Sequence, residues 1–97
     1  MPVYLIIDVA IIDQDVFGEF VARVPVVVEQ YGGRYLARSG EVSAMVGDWR
    51  PERIVLIEFE TIEQVQDFFA SKEYLALVPL REQSATTRAI IVEGFGP

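Results

Sequence analysis

The sequence predicts a single α+β domain with the element order β-α-β-β-α-β. Three observations lead there: β-branched runs of strand length near both ends of the chain, two stretches whose apolar residues recur at helical spacing, and turn-forming Gly, Asp and Pro clusters between them. Ninety-seven residues are one domain's worth. No internal repeat or low-complexity segment interrupts them.

Val3–Ile12 opens the chain as a strand. Val3, Leu5, Ile7, Val9 and Ile11 share one face, and Tyr4, Ile6, Asp8 and Ala10 the other, so the strand is expected to be buried on both sides. Asp13 or Asp15 then offers a helix N-cap. Val16–Tyr31 reads as a helix, with Phe17, Phe20, Val21, Val24, Val27, Val28 and Tyr31 on one stripe. Pro25 inside it predicts a kink or a break, and Gly32-Gly33 supplies the stop.

Arg34–Arg38 and Glu41–Val46 form the next extended stretch, bent at Ser39-Gly40. A turn-rich loop from Gly47 to Arg53 leads into a third strand, Ile54–Glu60, which would make a hairpin with the second. On the third strand Ile54, Leu56 and Glu58 face one way, and Val55, Ile57 and Phe59 the other. Thr61-Ile62-Glu63-Gln64 is a capping box, opening a helix that turns Val65, Phe68 and Phe69 inward. Ser71 can cap a further short helix holding Tyr74, Leu75 and Val78, and Pro79 can start another turn through Gln83. Arg88–Gly94 is the last strand, followed by the tail Phe95-Gly96-Pro97.

This order is the split βαβ, or ferredoxin-like, motif: a four-stranded antiparallel sheet whose first and third strands are central neighbours, with both crossover helices on one face. The opposite face is normally solvated and polar. Here neither face of the first strand is polar, and the third and fourth strands are nearly as apolar. Left bare, such a face would expose several hundred Å² of apolar surface, more than monomers usually tolerate. A second copy is the simplest cover, because a two-fold interface uses the same patch twice. Loops or the C-terminal tail folding over the sheet are the alternative. The expectation is a homodimer with the two sheets facing each other, forming a dimeric α/β barrel.

Composition agrees with association. Hydrophobic residues make up 52% of the chain, and a chain this short buries only a modest core alone. Without cysteine there is no disulfide to reinforce it, and without histidine structural zinc is improbable. No apolar run reaches the length of a membrane span, and the N-terminus lacks the basic flank and cleavage site of a signal peptide. The cytoplasm is the default expectation. Net charge is −7, and the basic residues are scattered, so neither nucleic acid nor membrane is an expected partner.

The same absences limit the chemistry. Ser-His-Asp and Cys-His arrangements are excluded, as is a thiolate nucleophile. Gly32-Gly33 precedes a strand and is no phosphate loop. No cofactor and no metal is expected. Asp13-Gln-Asp15 could offer hard oxygens to Mg²⁺ or Ca²⁺, but helix capping accounts for it better.

Acid–base work would fall on Asp, Glu or Tyr. Asp8 and Glu58 each interrupt an apolar strand, so burial would raise their pKa values unless Arg38, Arg81 or Arg88 pairs with them. Whether they share a face depends on strand register. Tyr31, Tyr35 and Tyr74 could orient a polar ligand or donate a proton, or simply pack in the core with a satisfied hydroxyl. Trp49, between Asp48 and Arg50 and near Arg53, could cover a pocket; dimer packing is the more frequent role of such a residue.

Tyr31-Gly-Gly-Arg-Tyr-Leu36, Gly47-Asp-Trp-Arg-Pro-Glu-Arg53 running into Ile54–Phe59, Ser71-x-x-Tyr74, Pro79-Leu-Arg81 and Ile91-Val-Glu-Gly94 together resemble the domain-of-unknown-function family numbered 1330, in order and over essentially the whole chain. That family belongs to the dimeric α/β-barrel superfamily. The resemblance implies two four-stranded sheets packed into a barrel with helices outside, and makes Arg81 a candidate to clamp a carboxylate or phenolate. It supplies no activity. Superfamily relatives include cofactor-free monooxygenases, muconolactone-type isomerases and haem-dependent chlorite dismutases, and the missing histidine and cysteine remove the last of these.

Two function classes follow. One is an enzyme or binder for a small hydrophobic or aromatic acid, using cofactor-free oxidation or proton transfer, with Tyr74, Arg81 and Asp8 or Glu58 as the polar groups of a pocket between helices and sheet. The other is a non-catalytic dimeric structural or stress-related module. An enclosed cavity of roughly a few hundred Å³ touched by Arg81 and a carboxylate would favour the first, and a fully packed interior the second.

Overall fold

The computed structural model describes residues 1–96. The alternation of β-branched runs and helical stripes yields β1 (Val3–Ile11), α1 (Gln14–Gln30), β2 (Arg34–Ala37), β3 (Arg53–Phe59), α2 (Ile62–Ala70), α3 (Lys72–Leu75), α4 (Val78–Ser84) and β4 (Ala85–Glu93). The strands form one sheet in the order β2-β3-β1-β4, every neighbouring pair antiparallel. This is the expected ferredoxin-like topology, with β1 and β3 in the centre.

Register sorts the residues between the two faces. Leu5 lies opposite Ile57 and Ile91, Ile7 opposite Val55 and Ala89, and Val9 opposite Arg53 and Thr87. These rows face the helices, where Phe17, Val24, Val27 and Val28 of α1 and Val65 and Phe68 of α2 close the core. Leu5, Ile57, Phe59, Val28 and Val65 are almost wholly buried there. The other face carries Tyr4 with Glu58 and Val92, Ile6 with Leu56 and Ile90, and Asp8 with Ile54 and Arg88. Among the described residues no second layer of helices or strands covers it: the Cα envelope is 17 Å in its thinnest dimension, the depth of one sheet and one layer of helices.

The caps hold the helices where the sequence places them. Asp13 Oδ1 accepts from the Val16 N–H at 3.1 Å, Thr61 and Gln64 complete a reciprocal capping box, and Ser71 Oγ accepts from the Tyr74 N–H at 3.0 Å. Gly33 has a steric reason: a Cβ there would meet Val28 Cγ1 at 2.6 Å and Phe59 Cζ at 2.8 Å. The chain can therefore turn from α1 into β2 only tight against the core.

Four boundaries differ from the sequence expectation. Glu41–Val46 is not a strand. Continuing the register Ala37–Leu56 would set it against the segment from Gly47, which has a positive φ of 83°, to Glu52, which follows Pro51, and that partner cannot be extended. The extended stretch passes a bulge between Tyr35 and Ala37 and ends at Ala37. α1 is not broken at Pro25: its stripe is packed on both sides of the proline by Val24, Val27 and Val28, which outweighs one lost backbone bond. The short helix capped by Ser71 ends at Leu75, and Val78 opens α4 instead of closing that helix. β4 starts at Ala85 rather than Arg88, because Ile11 still pairs with Ala85 and the Ile12 and Asp13 N–H groups donate to the Ser84 carbonyl at 2.7 and 3.1 Å.

Candidate functional site

A cavity of about 70 Å³ lies between the helices and the sheet, walled chiefly by aliphatic and aromatic side chains. Strands supply its floor through Ile7, Val9, Val55 and Ile57, and α1 supplies one wall through Phe17, Phe20 and Val24. Three arginines also line it: Arg38 just past β2, Arg53 at the start of β3 and Arg81 in α4. Each guanidinium lies over a ring that shares the lining, at 4.9 Å from Tyr35, 5.3 Å from Phe17 and 6.0 Å from Tyr74 respectively. No Asp or Glu lines the cavity. Among the described residues, none of these arginines forms an ion pair.

The two cavity tyrosines are held as neutral phenols. Burial pushes the Tyr35 and Tyr74 hydroxyls up from their ordinary value, and the guanidiniums of Arg38 and Arg81 oppose that only in part. At neutral pH both are hydrogen-bond donors rather than bases. Two further polar atoms on the lining residues, Arg53 Nε and Thr87 Oγ1, are buried with no protein hydrogen-bond partner.

The open face of the sheet has a different chemistry. Arg88 Nη2 approaches Asp8 Oδ2 to 2.6 Å, and Trp49 Nε1 donates to the same oxygen at 3.2 Å. Arg34 Nη2 meets Glu58 Oε1 at 2.7 Å. The bond from Arg88 holds the Asp8 carboxyl below its ordinary range against the opposing effect of burial, with Trp49 reinforcing it. Arg34 does the same for Glu58.

The structure therefore brings Tyr74 and Arg81 together in the cavity and puts Asp8, Glu58 and Trp49 on the far side of the sheet. Asp8 and Glu58 do share a face, but it is not the pocket's. The expected pocket with an acid beside Tyr74 and Arg81 is corrected on that point; the condition set on the acids, an arginine partner that keeps the pKa from rising, is met by Arg88 at Asp8 as expected and at Glu58 by Arg34, which was not among the arginines expected. Tyr31 lies outside the cavity lining: it ends α1, and its hydroxyl donates to Glu73 Oε1 at 3.0 Å, tying α1 to α3. Arg53 and Thr87 were not among the expected site residues. Arg53 was within reach of the alternation rule, since Val55, Ile57 and Phe59 share its face at period two.

Comparison with known proteins places the chain. Residues 2–95 match the family described as a domain of unknown function, DUF1330, and the chain belongs to that family. None of the curated proteins matches it. A protein of unknown function from Rhodopseudomonas palustris has a similar structure, with a TM-score of 0.82 and 14% identity over 99% of this chain and 84% of that one. SnoaB, a cofactor-independent oxygenase from Streptomyces nogalater, gives 0.69 and 10% over 99% and 95% of the two chains. A dimeric protein of unknown function with a ferredoxin-like fold, from Bacteroides fragilis, gives 0.66 and 12% over 96% of each. At such identities the likeness is one of fold.

Proposed function

We propose that this DUF1330 domain works as a homodimer, and that each protomer binds a small hydrophobic or aromatic acid in the cavity between helices and sheet. One observation carries the reading: in a chain of net charge −7, a largely apolar cavity gathers three arginines and no carboxylate. An arginine stacked on a ring keeps its charge while its hydrogen-bonding edge stays free for a carboxylate or phenolate. The aliphatic and aromatic walls suit the rest of such a ligand.

The void of about 70 Å³ is smaller than the few hundred Å³ that would decide for an enzyme unaided. It takes the head group and first carbons of an acid, a larger ring requiring partly exposed Phe20 or Phe69 to move. The chemistry on offer is proton donation by the Tyr74 phenol and stabilisation of a developing enolate or phenolate by Arg81. Both fit proton transfer or a cofactor-free oxidation. The fold shared with a cofactor-independent oxygenase supports the latter by analogy alone.

Association rests on the other face. Ile90 and Val92 on the open face are 64% and 47% exposed, and Met45 and Val46 in the connection from β2 to β3 are 87% and 92% exposed. A second copy of the same face would cover them. The apolar face also suits the second reading, a dimeric module without catalysis.

A thermal-shift screen of small aromatic and aliphatic acids against their neutral amides tests the proposal. Acids should raise the midpoint where amides do not, and Arg81→Ala should lose those hits. Equal effects of acids and amides, or the same hits on Arg81→Ala, would remove this cavity as an acid site. Light scattering at micromolar concentration should give a dimer mass, and a clean monomer would sink the association.

A further inference from the structure

We propose that Arg53 and Thr87 form the seat of the ligand's carboxylate, so that the acid lies with its charged end on the β3–β1–β4 row, Arg81 meeting it from α4 and the Tyr74 ring and aliphatic walls taking the rest. This rests on the small-acid reading above and fixes the ligand's direction within it.

Arg53 and Thr87 flank Val9 in a single row across three strands, on the helix-covered face. The interstrand spacing sets their Cα atoms roughly 10 Å apart. Both have a polar atom that is fully buried and without a protein partner, Nε of Arg53 and Oγ1 of Thr87, and both residues line the cavity. Buried polar groups are nearly always satisfied in folded proteins, so two orphans on one wall mark a place where an outside partner belongs.

The chemistry of the pair selects that partner. Arg Nε–H is a donor only, and a threonine hydroxyl can donate. Two donors on one row of the lining, one charged, call for an anionic acceptor, and a carboxylate has two oxygens to offer them. The Arg53 guanidinium is held in place by the Phe17 ring at 5.3 Å. The strand start that carries it is pinned by its neighbour Glu52, whose Oε2 accepts from the Ile11 N–H at 3.1 Å. The seat is thus built on the sheet, whereas Arg81 comes from a helix of seven residues.

The test follows the side-chain Nε–H signals of ¹⁵N-labelled protein during titration with acetate, propionate and benzoate, and with acetamide, propionamide and benzamide as neutral controls. The proposal expects a saturable shift of the Arg53 Nε–H signal with at least one acid and none with its amide. Thr87→Val should weaken that acid roughly tenfold, the usual worth of one hydrogen bond to a charged group. The same variant should leave the ligand-free protein at least as heat-stable as the parent, because it removes an orphaned hydroxyl. A purely structural threonine would lower stability instead.

If an acid binds and moves the Arg81 Nε–H signal while Arg53 stays still, the seat is wrong and the small-acid reading survives. If no acid moves any cavity signal, the small-acid reading fails and the seat with it. A long-lived water contact at Arg53 Nε–H that persists unchanged at saturating acid would show that the orphans are satisfied by water only, and would also overturn the seat.

Discussion

The two faces of the sheet hold arginine in opposite states. On the open face Arg34 lies opposite Glu58 and Arg88 opposite Asp8 across paired strands, each at ion-pair distance. On the helix face Arg38, Arg53 and Arg81 rest on aromatic rings with no carboxylate in the lining. The chain has 15 acids for 8 bases, so unpaired arginines are not forced on it by composition. The difference teaches what each face is ready for. Charges already neutralised within a protomer can be covered by a second copy without leaving an isolated buried charge. Charges left unneutralised beside an apolar cavity are ready for an anion.

The largest effect that would sharpen this contrast comes from neighbouring residues on opposite faces. Leu5→Ala on the helix face should cost about 2–5 kcal/mol in chemical denaturation, because it empties a site that is 1% exposed. Ile90→Asp on the open face should leave the circular dichroism spectrum unchanged and convert the sedimentation profile to that of a monomer. If Ile90→Asp unfolds the protein while Leu5→Ala is tolerated, the assignment of the faces is wrong.

A smaller effect concerns pH. Arg88 lowers the Asp8 pKa in the folded state. The stabilisation is therefore fully present above the unfolded-state value and is lost as the pH falls through the lowered one. Asp8→Asn should flatten the acid side of a plot of thermal midpoint against pH. An acid limb as steep as the parent's would show that the Asp8–Arg88 pair contributes nothing in solution, as many exposed ion pairs do not.

Much of this fold was legible in the residues, and the reasons are local. The apolar, β-branched runs Val3–Ile12 and Ile54–Glu60, the stripe from Phe17 to Val28, and the caps at Asp13, Thr61 and Ser71 each announce their element without help from the rest of the chain. What needed a partner was not legible. Glu41–Val46 has strand-like residues but nothing to pair with, and β4 starts at Ala85 because β1 reaches that far. The same limit applies to the site. Tyr74 and Arg81 were recognisable, but the faces on which Asp8 and Glu58 lie follow from register, and the cavity follows from how side chains fill the space above the sheet. Thr87 gave no signal, because its significance is a hydroxyl left unpaired after everything else has packed.

The contrast between the faces is tested most directly by calorimetric titration of benzoate into two variants, Arg81→Ala on the helix face and Arg88→Ala on the open face. The account predicts that affinity falls roughly tenfold or more in Arg81→Ala and stays within about twofold of the parent in Arg88→Ala. An equal loss in both variants, or a greater loss in Arg88→Ala, would contradict it.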